Sequence, residues 1–310
     1  MSTAFVFPGQ GAQTIGMGRD LADSYPAARA VFDEVDDALG EKLSTLIWDG
    51  DIETLTLTQN AQPALMATSM AAMRALEAEG LEAGRASFVA GHSLGEYSAL
   101  CAVGVFSVAD AARLLRTRGL AMQSAVPVGE GAMAAVLGLD AGAVEAVAAA
   151  AAEGDVCQLA NENDPSQNVI SGSKAAVERA IVLAKEAGAK RALPLPVSAP
   201  FHCALMGPAA EAMQEALAQV KFTAPSVPLV ANVTAEAVSD PERIKALLVE
   251  QVTGRVRWRS SVEWMVGQGV TEFWEIGAGK ALSGMIKRIH RDATLRNVGA
   301  AADVTAALGG

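Results

Sequence analysis

The segment GHSLGEYSAL, which contains Ser93, has the residue types and spacing of a catalytic serine. Ser93 stands between Gly91 and Gly95 in the pattern G-x-S-x-G, typical of a nucleophile elbow that turns sharply from a strand into a helix. Such a turn brings backbone segments close together, so its flanking positions favour glycine, which has no Cβ. The β-like residues before the motif and the Ala- and Leu-rich residues after it predict the required strand and helix. Ser93 is therefore our candidate nucleophile.

Activation of a serine requires a base within hydrogen-bond reach, and the chain contains three histidines. His92 is adjacent to Ser93 and would point in a different direction at a sharp turn. His290 lies in the basic stretch MIKRIHRD, where a solvated histidine is expected. His202 follows Pro200 in a proline-stiffened loop that enters a predicted helix. Elimination favours His202 as the base, with a packed loop histidine as the alternative.

A base histidine is usually oriented by a third group, and no acid in this sequence has a context that distinguishes it. In the α/β-hydrolase order, the acid would lie between Ser93 and His202. The candidates in that interval include Asp110, Asp140, Asp155 and Asp164. Cys203 is a rival nucleophile, but it has no elbow and directly follows the favoured base, so a buried cysteine is the expected role.

Arg118 is a candidate for binding an anion. If residues 108–123 form a helix, Arg118 shares one face with the apolar residues Ala111, Leu114, Leu115 and Met122. An arginine on an apolar face must be paired, because an unpaired buried charge is very costly. The partner could be a structural Asp or Glu, or it could be the carboxylate of a substrate held by the planar guanidinium. The spacing alone leaves both possibilities open.

Composition limits the protein class. The chain has 310 residues, of which 51% are hydrophobic and 19% charged, so a large core is possible and global disorder is not expected. The net charge of −11 disfavours nucleic acid as a partner. The three cysteines show neither a disulfide framework nor metal-ligand spacing, as in a reducing cytosol. No secretory signal or membrane-spanning run is evident, so we expect a soluble cytoplasmic protein without a metal or a membrane partner.

The predicted elements that position these residues alternate between short buried strands and helices. This order predicts an α/β fold with a mostly parallel sheet covered on both faces. Between residues 129 and 197 the order becomes β-α-β-β-α-β, the ferredoxin-like unit. We therefore expect a large α/β domain of residues 1–128 and 198–310, with a ferredoxin-like domain of residues 129–197 inserted into it. Outside that insert, helices are predicted around 17–38, 41–47, 62–79, 96–109, 108–123, 207–220, 241–250 and 258–268, and after GAGK.

A set of motifs in order along nearly the whole chain resembles the malonyl-CoA:acyl-carrier-protein transacylase family. The motifs are FVFPGQGAQ, GHSLGEYSAL, RTRG, GAMAAVLGL, NVISG, PVSAPFHCALM and EIGAGKAL. The resemblance implies a hydrolase-like α/β domain with an inserted ferredoxin-like domain. It also implies that Ser93 accepts a malonyl group from malonyl-CoA as an ester. That group then passes to the phosphopantetheine thiol of acyl carrier protein, in support of fatty acid synthesis, without a cofactor because coenzyme A is part of a substrate.

The resemblance also assigns roles to the catalytic residues. It implies that His202 is the base and that Gln251, in VEQVTGRV, orients it through a backbone carbonyl, which would account for the missing acid. It implies an oxyanion hole made by the backbone N–H groups of Gln10 and Leu94, a preorganised arrangement that often contributes most to catalysis.

Substrate binding is assigned in the same way. The resemblance implies that Arg118 binds the malonyl carboxylate and that Gln62, in TQNAQPAL, lies near the site. Leu94 and the Phe201–His202 pair are similar to the malonyl-selecting pattern of the family. Pro200 departs from the small residue that the family often has there, which would stiffen the loop.

Three alternative functions remain open at this stage. A serine ester or thioester hydrolase would share the elbow but would need no buried arginine. A stand-alone extender-unit acyltransferase for polyketide synthesis would use the same chemistry with another carrier protein. A carrier-binding module without activity would not need Ser93, His202 and Arg118 together.

Overall fold

Two sheets organise residues 2–308, the part of the chain that this computed structural model describes. The strands are β1 (Ser2–Phe7), β2 (Phe88–Gly91), β3 (Gly131–Leu137), β4 (Cys157–Asp164), β5 (Gln167–Ser173), β6 (Arg191–Pro194), β7 (Leu229–Val230), β8 (Ala237–Val238), β9 (Val270–Ile276) and β10 (Thr294–Val298). The large sheet has six strands in the order β10-β9-β1-β2-β7-β8, and the small sheet has four in the order β4-β5-β3-β6.

The large sheet is parallel except at its edge, where β8 pairs antiparallel with β7. Its central strand β1 is buried on both faces, as the apolar run AFVF predicts. Phe5 and Phe7 pack into a core on one face, while Ala4 and Val6 pack into a second core on the other. The predicted α/β class with a mostly parallel, doubly covered sheet is confirmed.

Fourteen α-helices cover these sheets within residues 2–308. They are α1 (Arg19–Ser24), α2 (Pro26–Leu39), α3 (Leu43–Asp49), α4 (Ile52–Thr56), α5 (Thr58–Ala78), α6 (Gly95–Ala102), α7 (Val108–Ser124), α8 (Ala141–Ala152), α9 (Lys174–Glu186), α10 (Gly207–Ala218), α11 (Pro241–Thr253), α12 (Trp258–Gly267), α13 (Ala281–Ile289) and α14 (Ala301–Leu308). No helix in this described part combines the length and apolar character that a membrane crossing requires.

Some helix boundaries differ from the sequence prediction. The predicted helix 17–38 is two helices, because the extended backbone of Tyr25 separates α1 from α2 and Pro26 begins the second. The helix predicted from residue 62 already begins at Thr58. The helix predicted over 96–109 ends at Ala102, since Gly104 adopts a positive φ of 78° and turns the chain.

The small sheet forms the predicted β-α-β-β-α-β unit, with α8 and α9 packed on one face around a separate apolar core. Val256 forms two backbone hydrogen bonds with its edge strand β4. The Val256 N–H donates to Ala160 O over 2.8 Å, and the Glu162 N–H donates to Val256 O over 2.9 Å. All four strands lie inside the predicted insert 129–197, and the exact division into two domains stays a prediction.

Candidate active site

The predicted elbow forms between β2 and α6, with Ser93 at its tip in a strained conformation of φ 54°. A Cβ on Gly91 would lie 1.9 Å from the carbonyl carbon of Gly95. A Cβ on Gly95 would lie 2.2 Å from the carbonyl oxygen of Phe7, on the neighbouring strand. Both glycines are therefore required, because any side chain would force the turn apart.

Asn232, which follows β7, holds this elbow from the adjacent strand. Its Oδ1 accepts from the Ser93 N–H over 2.8 Å, and its Nδ2 donates to Gly91 O over 2.6 Å. Sequence reasoning missed Asn232. The available signal was its position at the carboxyl end of a strand in a parallel sheet, where sites collect.

His202 lies beside the serine, with its Nε2 2.8 Å from Ser93 Oγ. Its other ring nitrogen, Nδ1, lies 2.9 Å from the backbone carbonyl oxygen of Gln251. Because a carbonyl can only accept, Nδ1 must carry the ring proton, and the lone pair of Nε2 then faces the serine. His202 is 5% exposed. Burial, reinforced by the charge of Arg118, lowers the pKa of His202 to about 3, so the imidazole is neutral.

Arg118 projects from α7 into the same cluster and is 1% exposed. Its Nη1 donates to Gln62 Oε1 over 2.7 Å and its Nη2 to Gln251 Oε1 over 2.8 Å. The same Nη2 lies 3.2 Å from Ser93 Oγ. Throughout residues 2–308, no carboxylate forms an ion pair with this guanidinium. A structural Asp or Glu partner is therefore not what holds it.

A chain of hydrogen bonds connects the guanidinium of Arg118 to the loop after β1. The Nε2 of Gln62 donates to Thr58 Oγ1 over 2.9 Å, and Thr58 Oγ1 donates to Gln10 Oε1 over 3.0 Å. Thr58 was not predicted from the sequence. Next to Arg118, a Cβ on Gly119 would lie 2.5 Å from Gln59 Cα, so the RTRG glycine lets α7 approach α5 closely enough for these contacts.

These groups face a cavity of about 330 Å³. Ser93, His202, Arg118, Gln62, Gln10 and Leu94 all line it. Met133 of the small sheet and the proline-containing loop at 195–197 also line it. Leu94 follows the serine and caps the N-terminus of α6, where backbone N–H groups favour negative charge. Leu94 and Phe201 are both in the cavity wall, which is where a residue that selects acyl groups must lie.

His92, His290 and Cys203, the alternatives to His202 and Ser93, form different contacts. His92 also lines the cavity, but its Nε2 lies 2.9 Å from Asn163 Oδ1 on the small sheet. Cys203 is fully buried with its Sγ directed at Pro200 O, and burial raises the pKa of its thiol. His290 ends α13 and is not among the residues that line the cavity.

The four candidate aspartates all have partners away from His202. At the start of α7, Asp110 Oδ2 accepts a hydrogen bond from the Ser107 hydroxyl, and at the start of α8, Asp140 Oδ1 accepts from the Ala143 N–H. Asp155 pairs with Arg179 over 3.1 Å, and Asp164 pairs with Arg288 over 2.6 Å. Within the described residues, no group of three or more His, Cys, Asp or Glu side chains is placed to hold a metal.

Comparisons with known proteins find matches that extend over nearly the whole chain. A family model described as an acyl transferase domain matches residues 4–296. A malonyl CoA-acyl carrier protein transacylase of Bacillus subtilis (strain 168) is 51% identical over 289 residues, which cover 93% of this chain and 90% of the relative. The crystal structure of an acyl-carrier-protein-S-malonyltransferase from Bartonella henselae matches with a TM-score of 0.97 and 58% identity, covering 99% of this chain and 98% of that one. A type II PKS acyl-carrier protein in complex with its malonyl-transacylase matches with a TM-score of 0.96 and 44% identity, covering 99% of both chains.

Proposed function

This chain belongs to the malonyl CoA-acyl carrier protein transacylase family, and we propose that it transfers malonyl groups from malonyl-CoA to acyl carrier protein. One observation carries the proposal. The buried cation Arg118, bound only to neutral groups, lies 3.2 Å from the hydroxyl of the elbow serine. A cation placed next to a nucleophile selects an acyl group that carries a carboxylate, because the pair is strong where water is excluded.

In the first half-reaction, Ser93 Oγ attacks the thioester carbonyl and His202 Nε2 takes the hydroxyl proton. The carbonyl of Gln251 stabilises the resulting imidazolium through Nδ1–H. When the tetrahedral intermediate collapses, the C–S bond breaks and the departing coenzyme A thiolate takes the proton back from His202. The products are malonyl-Ser93 and free coenzyme A.

In the second half-reaction, the phosphopantetheine thiol of acyl carrier protein gives its proton to His202 and attacks the ester. The C–O bond to Ser93 breaks, the serine oxygen recovers the proton, and the malonyl thioester leaves. We assign the oxyanion in both steps to the backbone N–H groups of Leu94 and Gln10, which lie in the cavity wall beside the serine.

The charge of Arg118 links substrate binding to the base. It is the second cause, after burial, of the lowered pKa of His202. A malonyl carboxylate paired with the guanidinium would cancel part of this repulsion and raise the basicity of the imidazole when substrate is present. Gln62 would hold the guanidinium in place through its 2.7 Å contact.

This scheme uses only side chains, backbone groups and the two thiol carriers, so we propose that no cofactor takes part. Fatty acid synthesis is the pathway that the family supplies. The similar complex with a type II PKS acyl-carrier protein makes polyketide synthesis the second candidate for this chain. The two-domain division and a cytoplasmic location stay predictions.

Intact-mass spectrometry tests the proposed function. Malonyl-CoA should add one malonyl group to the protein, and a holo carrier protein should then remove it as its own thioester. A fatty acid carrier and a polyketide carrier, offered separately, distinguish the two pathways. Release of free malonate at the same rate without a carrier would instead indicate a hydrolase.

A further inference from the structure

Glu96 is a buried carboxyl group that the proposed mechanism does not use. It lies on α6 three residues after the nucleophile and is 1% exposed. Its Oε2 accepts a hydrogen bond from Gln251 Nε2, and its Oε1 has no partner among residues 2–308. A buried carboxyl group with one unpaired oxygen is costly, so its position next to the site requires an explanation.

The side-chain amide of Gln251 separates Glu96 from the guanidinium of Arg118. Its Oε1 accepts from Arg118 Nη2 over 2.8 Å, while its Nε2 donates to Glu96 and, over 2.9 Å, to Ser93 O. The acid and the base are therefore bound to opposite ends of one neutral group and do not form an ion pair. The charge state of Glu96 decides the net charge of the whole buried cluster.

The charged and titratable groups around Glu96 are few. Arg118 faces it from α7 and stays protonated, as guanidinium groups do in proteins. Tyr97 adjoins it on α6, and burial raises the pKa of that phenol, which keeps it neutral. His202, held by α11, is neutral as well. Burial raises the pKa of Glu96 to about 8, although the hydrogen bond from Gln251, the backbone of Asn232 and the charge of Arg118 act in the opposite direction.

We propose that neutral Glu96 leaves the buried charge of Arg118 uncompensated for the malonyl carboxylate and thereby sets the preference for malonyl over acetyl groups. Ionised Glu96 would supply an internal counter-ion. A malonyl group would then bring a second carboxylate to a single guanidinium, leaving a net negative charge in a buried site. Acetyl groups have no carboxylate and would be affected much less. Glu96 is in this view a specificity-determining residue acting through Gln251 and Arg118, and the inference rests on the proposed function.

The test is the ratio of kcat/KM for malonyl-CoA to that for acetyl-CoA in acyl-enzyme formation, measured from about pH 6 to about pH 9.5. Titration of His202 or of the coenzyme A moiety affects both substrates and cancels in the ratio. We expect the ratio to fall about tenfold as the pH rises through the range in which Glu96 ionises. In Glu96→Gln, which has a neutral isosteric group, the ratio should be independent of pH.

Glu275→Gln is the matched control, because Glu275 is also buried with a raised pKa but caps α13 away from the cavity. It should keep the pH-dependent ratio of the native protein. A flat ratio in the native protein would overturn the inference without any variant, even if Glu96→Gln does not fold. A ratio that still falls in folded Glu96→Gln would also overturn it. If the native protein forms no malonyl-enzyme at any pH, the proposed function itself fails instead.

Discussion

The backbone carbonyl of Gln251 lies 2.9 Å from Nδ1 of His202, in the position that a carboxylate occupies in a Ser-His-Asp triad. The same residue binds Arg118 and the Ser93 carbonyl through its side chain. Gln251 therefore contacts the proposed base through its backbone and Arg118, the proposed carboxylate-binding residue, through its amide. A neutral carbonyl also adds no negative charge to a site that has to accept a malonyl carboxylate.

The first prediction is that no aspartate completes a triad. Alanine at each of four positions should leave malonyl transfer within about tenfold, whereas loss of a triad acid costs about 10⁴. The positions are Asp110, Asp140, Asp155 and Asp164. Asp164→Ala should lower the melting temperature, since Asp164 pairs with Arg288. A folded variant whose rate falls by three orders of magnitude would refute the carbonyl-oriented histidine.

The second prediction concerns the nucleophile. Ser93→Ala should form no malonyl adduct in intact-mass spectrometry while it keeps the native circular dichroism spectrum, because alanine fits the elbow but has no hydroxyl group. Cys203→Ala is the matched control and should still form the adduct, since that thiol is buried and directed at Pro200 O. An adduct that persists in Ser93→Ala and disappears in Cys203→Ala would identify Cys203 as the nucleophile instead.

Local spacing was enough to predict the elbow and the burial of Arg118. The elbow depends on a strand, three consecutive turn residues and two glycines, all within one short segment. The burial of Arg118 follows from helical periodicity, because its neighbours at three and four positions along α7 are apolar. The β-α-β-β-α-β order of the small sheet was predictable for the same reason, since each element has its own hydrophobic period.

Contacts between distant segments were not predictable from local patterns. Asn232 binds Ser93 across 139 positions of sequence, and Glu96 meets Gln251 across 155. A polar residue at either position has no periodic signal. Only the family resemblance implies the role of Gln251, because a backbone carbonyl has no side-chain signature. Strand β10 was missed because it is a half-buried edge strand that contains polar residues.

The third prediction is a pH profile. Because burial lowers the pKa of His202 to about 3, the imidazole stays neutral as the pH falls through its ordinary value of 6.5. With acetyl-CoA, kcat/KM for acylation should therefore stay nearly constant from about pH 7.5 to about pH 5. An unperturbed histidine would instead lose about thirtyfold over the same range. A decline centred near pH 6.5 would contradict the buried, neutral base.

The lowered pKa of His202 also affects the free energy of unfolding, which provides a second test. Below pH 6.5 the unfolded chain protonates this histidine while the folded protein does not, until a pH of about 3. The unfolded state therefore binds more protons in that window, and stability is lost as the pH falls. His202→Gln should lose less stability than the native protein on acidification through the window, as measured by urea unfolding.

The fourth prediction concerns charge at the mouth of the cavity. The net charge of −11 repels coenzyme A and acidic carrier proteins, so local basic residues should guide docking. Lys280 is exposed and follows Gly279. A Cβ on Gly279 would lie 3.4 Å from the Cβ of Ala12, which stands between the cavity-lining residues Gly11 and Gln13. Lys280→Glu should raise KM for malonyl-CoA and for the carrier by about three- to tenfold at low salt and less at high salt.

Lys190→Glu is the matched charge reversal, because Lys190 is exposed near Gly138 on the small sheet, away from that loop. It should leave KM unchanged. Equal effects of both reversals would indicate that only the overall charge matters. No effect of Lys280→Glu at any ionic strength would exclude this position from the docking surface.

The last prediction separates substrate binding from structural support at Arg118. In Arg118→Ala, a malonyl carboxylate would be desolvated without a partner, at a cost of about 3–5 kcal/mol, as for breaking a buried charge pair. Malonyl transfer should fall by at least about a hundredfold, while acetyl transfer holds or improves because acetyl groups bring no charge.

Arg116→Ala is the matched control: Arg116 lies on the same helix but pairs with Glu41 and Asn60, so both substrates should be unaffected. Because specificity is a ratio of transition-state stabilisations, Arg118→Ala should prefer acetyl-CoA to malonyl-CoA, the reverse of the native preference. Equal losses for both acyl groups, together with a lower melting temperature, would show that Arg118 supports the fold and does not bind the substrate.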